Sequence, residues 1–226
     1  MKVCLSFNGV IANTAAALVE QIKRDHGIVI PPAEFSKDSV EQLFPNVVPG
    51  GLPKTLQRSE YSLSKRNLFE TEAFRHLRAI DGAVEGIRVL RAEGVEPIIV
   101  TDAKSVTRTR LETWLARRGL KDLEVIFTRK GRKDREPHQC KCQVVVDDNV
   151  ERLLGLRDHP ELMLVHFAPA RGTAGSEASR LYLGTKKTAV SEETTGSEII
   201  SIRGWDELTS LLREHLEESS TRPKAA

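Results

Sequence analysis

In "QVVVDDN" (residues 143–149) three consecutive valines run straight into an acidic pair and an asparagine. β-Branched residues with no polar alternation need cover on both faces, the condition of a central strand in a parallel sheet. The acidic pair then falls outside a strand's carboxyl end, where open parallel sheets gather their ligands. Comparable apolar runs flank it in the chain: "KVCLSF" (2–7), "EPIIVTD" (96–102), "LEVIFT" (123–128), "ELMLVHF" (161–167) and "EIISI" (198–202). Between them lie helical patterns. One starts at Asn13 or Thr14 and runs to about Lys23, with Leu18, Val19 and Ile22 on its apolar face and Gly27 beyond its end. Others are "AVEGIRVLRAEG" (83–94), "SVTRTRLETWLARRG" (105–119) and "WDELTSLLREHLEE" (205–218). Strands alternating with helices predict an α/β fold, a three-layer, doubly wound parallel sheet.

Two segments interrupt the alternation. Residues 25–75 hold Pro31-Pro32, "FPNVVPGGLP" and short helical pieces such as "SKDSVEQLF", with no clear strand, and predict a small helical cap inserted after the first βα unit. Residues 169–197 are rich in Gly, Ser, Thr and Ala and predict a long loop. The domain reading is a core from 1–24 and 76–215, a cap from 25–75, and a disordered tail from 216–226.

Composition narrows the class. Hydrophobic content of 39% and charged content of 29% are ordinary for a globular chain, and no apolar run approaches the ~20 residues of a membrane span. "MKVCLSFNGV" reads as a strand rather than a secretory leader. Three unevenly spaced cysteines do not suggest a disulfide framework, so a cytoplasmic, reducing location is expected. The net charge of +2 hides an asymmetry: residues 104–141 carry twelve Lys/Arg against five Asp/Glu, leaving 22 basic and 27 acidic residues elsewhere. Such a segment suits an anionic ligand, although arginines on amphipathic helices more commonly just face water.

The strand tips collect the chemistry. The first ends in Ser6 and Asn8, followed by Gly9; the second in Thr101; the fourth in Asp147-Asp148. A loop containing Lys130 and Lys133 precedes the fourth strand. A hydroxyl, a cation and an acidic pair converging on one crevice are the parts of a phosphate and magnesium site.

Here the chain resembles the haloacid dehalogenase-like superfamily of phosphohydrolases, most closely its 5′(3′)-deoxyribonucleotidase-like branch. "SFNGVIANT" (6–14) matches the family's first motif, "IDGAVEGIRVLRAEGVEPIIVTDA" (80–103) its helix, strand and second-motif threonine, "VVVDDN" its fourth motif, and "IRGWDELTSLL" (202–212) the nucleotidase branch's last strand and helix. The resemblance implies that Thr101 contacts phosphate and that Asp147 and Asp148 hold Mg²⁺. It also implies a phosphate-facing lysine, for which Lys133 is favoured, with Lys130 next and Lys141 also in range.

The first motif departs from the pattern. Where the family has a nucleophilic, metal-binding aspartate and a second aspartate as general acid and base, this chain has Ser6 and Asn8. An amide does not titrate near neutral pH, and a serine without an activating base is a poor nucleophile. Magnesium affinity is expected to be weakened, and loss of a nucleophile costs on the order of a millionfold in turnover. Asp-to-Asn exchange at Asn8 and Asn13 is nearly isosteric, so the turn and helix cap can persist while negative charge disappears.

Other signals read as structure. "HQCKCQ" groups His138, Cys140 and Cys142 but lacks a fourth zinc ligand, so half-buried cysteines are expected. Arg108, Arg110, Arg117 and Arg118 read as a solvated face, Trp114 and Trp205 as core anchors, Tyr61 and Phe69 as cap packing. The functional expectation is a catalytically impaired phosphatase-like protein that binds a phosphorylated small molecule, a nucleotide or a protein partner. An active magnesium-dependent phosphohydrolase is the alternative. Nucleic-acid contact through 104–141 ranks last, for want of a recognised binding motif, and no membrane partner is expected.

Overall fold

The computed structural model describes residues 1–30, 58–102, 108–128, 140–168 and 197–221. Its elements are β1 (Lys2–Ser6), α1 (Thr14–His26), α2 (Arg58–Glu70), a 3₁₀ turn (Glu72–His76), α3 (Ala83–Ala92), β2 (Glu96–Asp102), α4 (Arg108–Ala116), β3 (Glu124–Thr128), β4 (Val144–Asp147), α5 (Val150–Leu154), β5 (Met163–Phe167), β6 (Ile199–Ile202) and α6 (Trp205–Thr221). The six strands form one sheet in the order β3-β2-β1-β4-β5-β6, every neighbouring pair parallel. All six apolar runs become strands, and β1, first in sequence, sits third in the sheet. The chain winds one way to β3 and then back across to β6, the doubly wound arrangement whose reversal opens a crevice beside β1 and β4.

The two sheet faces carry separate clusters, as alternating side chains require. Val3, Leu5, Ile99, Val144 and Val146 join the larger one beneath α1, α3 and α6, while Cys4, Ile98, Val100, Val145 and Leu164 join the smaller one with Leu153 and Leu156. The three valines of β4 are all buried, which is the cover their pattern demanded. No helix among the described residues is long and apolar enough to cross a membrane.

Trp114 and Trp205 are buried and their indoles donate to the carbonyls of Leu77 and Val10, and Phe7 meets Trp114 edge-on with centroids 5.1 Å apart. Phe69 is buried beside Phe74, and Tyr61 packs at the core's margin. Within the cap interval, α2 and the 3₁₀ turn are helical; "SKDSVEQLF" and the prolines lie outside the described residues, as does the 169–196 loop segment.

Three expectations are corrected. The stretch from residue 216, expected as disordered tail, is helical to Thr221, where α6 ends, with Leu216 packed against the core; residues 222–226 lie outside the described residues. The cysteines are not all thiols: Cys4 and Cys142, 138 residues apart, form a disulfide with a Cα separation of 6.1 Å, and Cys140 is not part of that bond. Sheet order explains this, since β1 and β4 are neighbours and Cys142 lies just before β4. The arginines of α4 are not a purely solvated face either. Arg108 lies over the Phe127 ring at 4.5 Å and Arg118 over Trp114 at 3.7 Å. The guanidinium of Arg118 also donates to the Leu77 and Trp114 carbonyls, and burial pushes its pKa down, with Arg117 adding to the effect.

Candidate functional site

Strand register decides which residues meet. Ser6 ends β1 opposite Val100, so Thr101 stands one residue further along β2. Leu5 pairs with Val146, which brings Asp147 level with Ser6 on the other side. Ser6, Thr101 and Asp147 thus occupy three adjacent strand tips, at the carboxyl edge expected for a ligand site.

The chain leaves β1 through a compact turn. Phe7 accepts from the amides of Ile11 and Ala12 at 3.2 and 2.9 Å, and Gly9 donates to Ala12 at 2.9 Å. Gly9 has a φ of +77°, the left-handed region where a side chain is strained. A Cβ there would also overlap the Asp148 carboxylate, so the fourth strand's second aspartate lies directly against this glycine. Asn13 donates its backbone N–H to Arg78 at 2.9 Å, and its side chain caps α1 by accepting from the Ala16 amide at 3.2 Å. The amide at this position does the capping work that a carboxylate could do, as its near-isosteric shape predicted.

Side chains around this turn divide into two kinds. Ser6 is buried and its hydroxyl donates to the Asn8 carbonyl at 3.3 Å. By contrast, Asn8 Oδ1, Thr14 Oγ1 and Thr101 Oγ1 are buried with no hydrogen-bond partner among the described residues. Thr101 has no solvent exposure at all, and Thr128 bonds only its backbone carbonyl. An unpaired buried polar group costs about 1–3 kcal/mol. Three such atoms lie on the β1–α1 segment and the tip of β2.

The acidic end is already occupied by protein. Asp147 accepts from one guanidinium nitrogen of Arg152 with both oxygens, at 3.3 and 3.2 Å, and from the Asn149 amide at 2.9 Å. Asn149 in turn caps α5 through the Arg152 amide at 3.1 Å. Asp147 is only 6% exposed, which makes this pairing weightier than a surface ion pair. The expected Mg²⁺ between Asp147 and Asp148 meets this arrangement. A hard dication needs free carboxylate oxygens, but Asp147 is bound to a cation, and Ser6 and Asn8 offer neutral oxygens in place of acids. No group of three or more His, Cys, Asp or Glu able to hold a metal occurs among the described residues. The donor set does not fit a divalent ion.

Of the candidate lysines, Lys130 and Lys133 lie outside the described residues. Lys141 is removed from contention: it precedes β4 and sits at the sheet's amino edge, where Gln143 pairs with Lys2. Lys141 lies in a turn before Val144, at the opposite end of β4 from Asp147. Sequence reasoning missed Thr14 and Arg152. A basic residue one helical turn into the segment after an acidic pair was the available signal for Arg152.

No protein-family model matches the chain, and no curated protein does. Solved structures do. A HAD family hydrolase from Deinococcus radiodurans, with bound phosphate and sodium, superposes with a TM-score of 0.51 at 18% identity, covering 94% of this chain and 95% of that one. The fold is that of the haloacid dehalogenase-like hydrolases. A predicted phosphatase from Clostridium acetobutylicum aligns at a TM-score of 0.53 and 14% identity, over 94% of this chain and 98% of its own. A HAD-superfamily hydrolase from Ehrlichia chaffeensis gives 0.51 and 12%, over 95% and 97%. Each of these alignments spans more than nine-tenths of both chains.

Proposed function

We propose that this chain uses the hydrolase scaffold to bind a phosphate-bearing small molecule, a nucleotide monoester in the first instance, without turning it over. The observation that carries the reading is the pairing of intact turn geometry with neutral residues at its reactive positions. The buried hydroxyls of Thr14 and Thr101, without a hydrogen-bond partner among the described residues, support the anion-binding half of this reading. Ser6 and Asn8 provide no carboxylate to attack phosphorus or to shuttle a proton. The nucleotide preference rests on the likeness of "IRGWDELTSLL" to the nucleotidase branch. A protein partner is a second occupant of the same crevice edge. Nucleic-acid contact gains nothing from Arg108 and Arg118, whose guanidinium faces are stacked on aromatic rings.

The test is direct. The purified chain, incubated with a general phosphomonoester and a panel of deoxynucleotide monophosphates plus Mg²⁺, is expected to release phosphate at the blank rate. The Ser6→Asp/Asn8→Asp double variant is expected to rise above blank. Wild-type turnover that disappears in Asp147→Asn would replace this reading with an active phosphohydrolase.

A further inference from the structure

Arg152 raises a question that a degenerate catalytic motif alone does not answer. A first motif without acids accounts for the absence of turnover proposed above. It does not explain why the surviving Asp147 gives both its oxygens to a guanidinium of the same chain. Asp147 is level with Ser6 in the sheet and has little exposure, whereas the Arg152 side chain is 41% exposed. A guanidinium carries five N–H donors. Among the described residues the guanidinium bonds Asp147 through Nη1 alone, and the partly exposed side chain leaves its other donors on the open side of the pair. The charge is permanent, since guanidinium does not deprotonate in proteins. Planar N–H forks also suit phosphate oxygens.

We propose that Arg152, held in place by Asp147, supplies the positive charge at this strand edge that a divalent metal would otherwise supply, so that the crevice is a metal-independent oxyanion site. Two separate observations converge on it: the Asp147–Arg152 pair, and the unpartnered buried hydroxyls of Thr101 and Thr14 around the adjoining turn. Neutral Ser6 and Asn8 fit the same design. Carboxylates there would either recruit a metal or repel a bound anion, and an arginine-based site needs neither. The proposal deepens the phosphate-binding reading and rests on it for the identity of the anion. The metal-exclusion half stands separately.

The experiment uses the full chain and two probes, inorganic phosphate by calorimetry and Mn²⁺ by the electron paramagnetic resonance signal of the free ion. Wild type is expected to bind phosphate equally well in EDTA and in Mg²⁺, and to leave Mn²⁺ free. Arg152→Ala is expected to weaken phosphate binding in EDTA at least ~10-fold, to take up Mn²⁺, and to regain phosphate affinity when Mn²⁺ is present. Arg152→Lys keeps the charge and is expected to retain most metal-free binding, which guards against a folding defect in the alanine variant. Phosphate binding by wild type that EDTA abolishes would overturn the proposal. So would Arg152→Ala binding phosphate in EDTA as tightly as wild type. If wild type binds no phosphate under any condition, the phosphate reading fails on its own terms and Mn²⁺ decides here. Uptake by Arg152→Ala alone supports the exchange of metal for guanidinium, and equal behaviour of the two proteins refutes it.

Discussion

The indole of Trp205 donates a 2.8 Å hydrogen bond to the carbonyl of Val10 across 195 residues of sequence, so the first residue of α6 is fastened to the turn that follows β1. The same ring closes on α3, where a Cβ at Gly86 would stand 2.5 Å from its Cε3. The last helix thereby supports the candidate site from below. Trp205→Phe removes the donor and leaves the buried Val10 carbonyl short of a partner, at an expected cost of about 1–3 kcal/mol. Gly86→Ala pushes the ring instead and is expected to cost a similar amount, about 1–3 kcal/mol, through overpacking. Because both act on one ring, the double variant in urea denaturation should depart from the sum of the singles.

The Cys4–Cys142 bond closes a loop of 138 residues between two adjacent strands that both carry site residues. In the chain-entropy account a loop of that length contributes about 5 kcal/mol, with native strain setting how much is realised. Thiol titration of the denatured protein should find two more reactive cysteines after reduction than before it, as one disulfide between Cys4 and Cys142 requires. Reduction, or Cys142→Ser, is expected to lower the denaturation midpoint while the circular dichroism spectrum at low temperature stays unchanged. A reducing compartment would impose that loss on the protein continuously.

The strands were readable because β-branched runs report burial directly: "VVVD" needed cover on both faces and received it. The caps were readable for a related reason, as Asn13 and Gly27 act over three or four residues of local backbone. What escaped depended on which strands become neighbours. The pairing of Cys4 with Cys142 follows from β1 lying beside β4, which periodicity does not encode. Arg118 looked like one more exposed helical arginine, yet it folds back on Trp114 one turn earlier, and tertiary packing brings the Leu77 carbonyl to it. The placement of Ser6, Thr101 and Asp147 at adjacent strand tips followed from the apolar runs that end at them. Arg152 did not, because its importance lies in reaching back from α5 to Asp147.

Asp25 couples α1 to α2, accepting from Ser64 at 2.8 Å, Asn67 at 3.1 Å and Gln21 at 2.8 Å. Burial pushes its carboxyl up, but those hydrogen bonds, with help from His26, outweigh it and hold the pKa below its usual value. A depressed pKa means that the unfolded state binds the proton more readily. The contribution is therefore fully present above the ordinary aspartate range and is lost as pH falls through the folded value. Asp25→Asn should be less stable than wild type at neutral pH, by about 1–2 kcal/mol. That gap should close on acidification, as read from denaturation midpoints at a series of pH values.

Gly9 offers the sharpest separation of site geometry from overall stability. Its φ of +77° already penalises any side chain, and a Cβ would collide with the Asp148 carboxylate. Asp148 cannot yield freely, since it follows directly on the buried end of β4. Gly9→Ala is thus expected to destabilise the fold by about 1–3 kcal/mol, combining backbone strain with overpacking. It should also displace the turn that positions Asn8 and aligns Ser6 with Thr101. Asn13→Ala affects the same turn differently: it removes the α1 cap at a cost of about 1 kcal/mol without creating a clash. Compared at matched stability, Gly9→Ala should lose phosphate binding by calorimetry while Asn13→Ala retains it. Equal losses in the two variants would mean that helix integrity, rather than the contact between Gly9 and Asp148, governs the crevice.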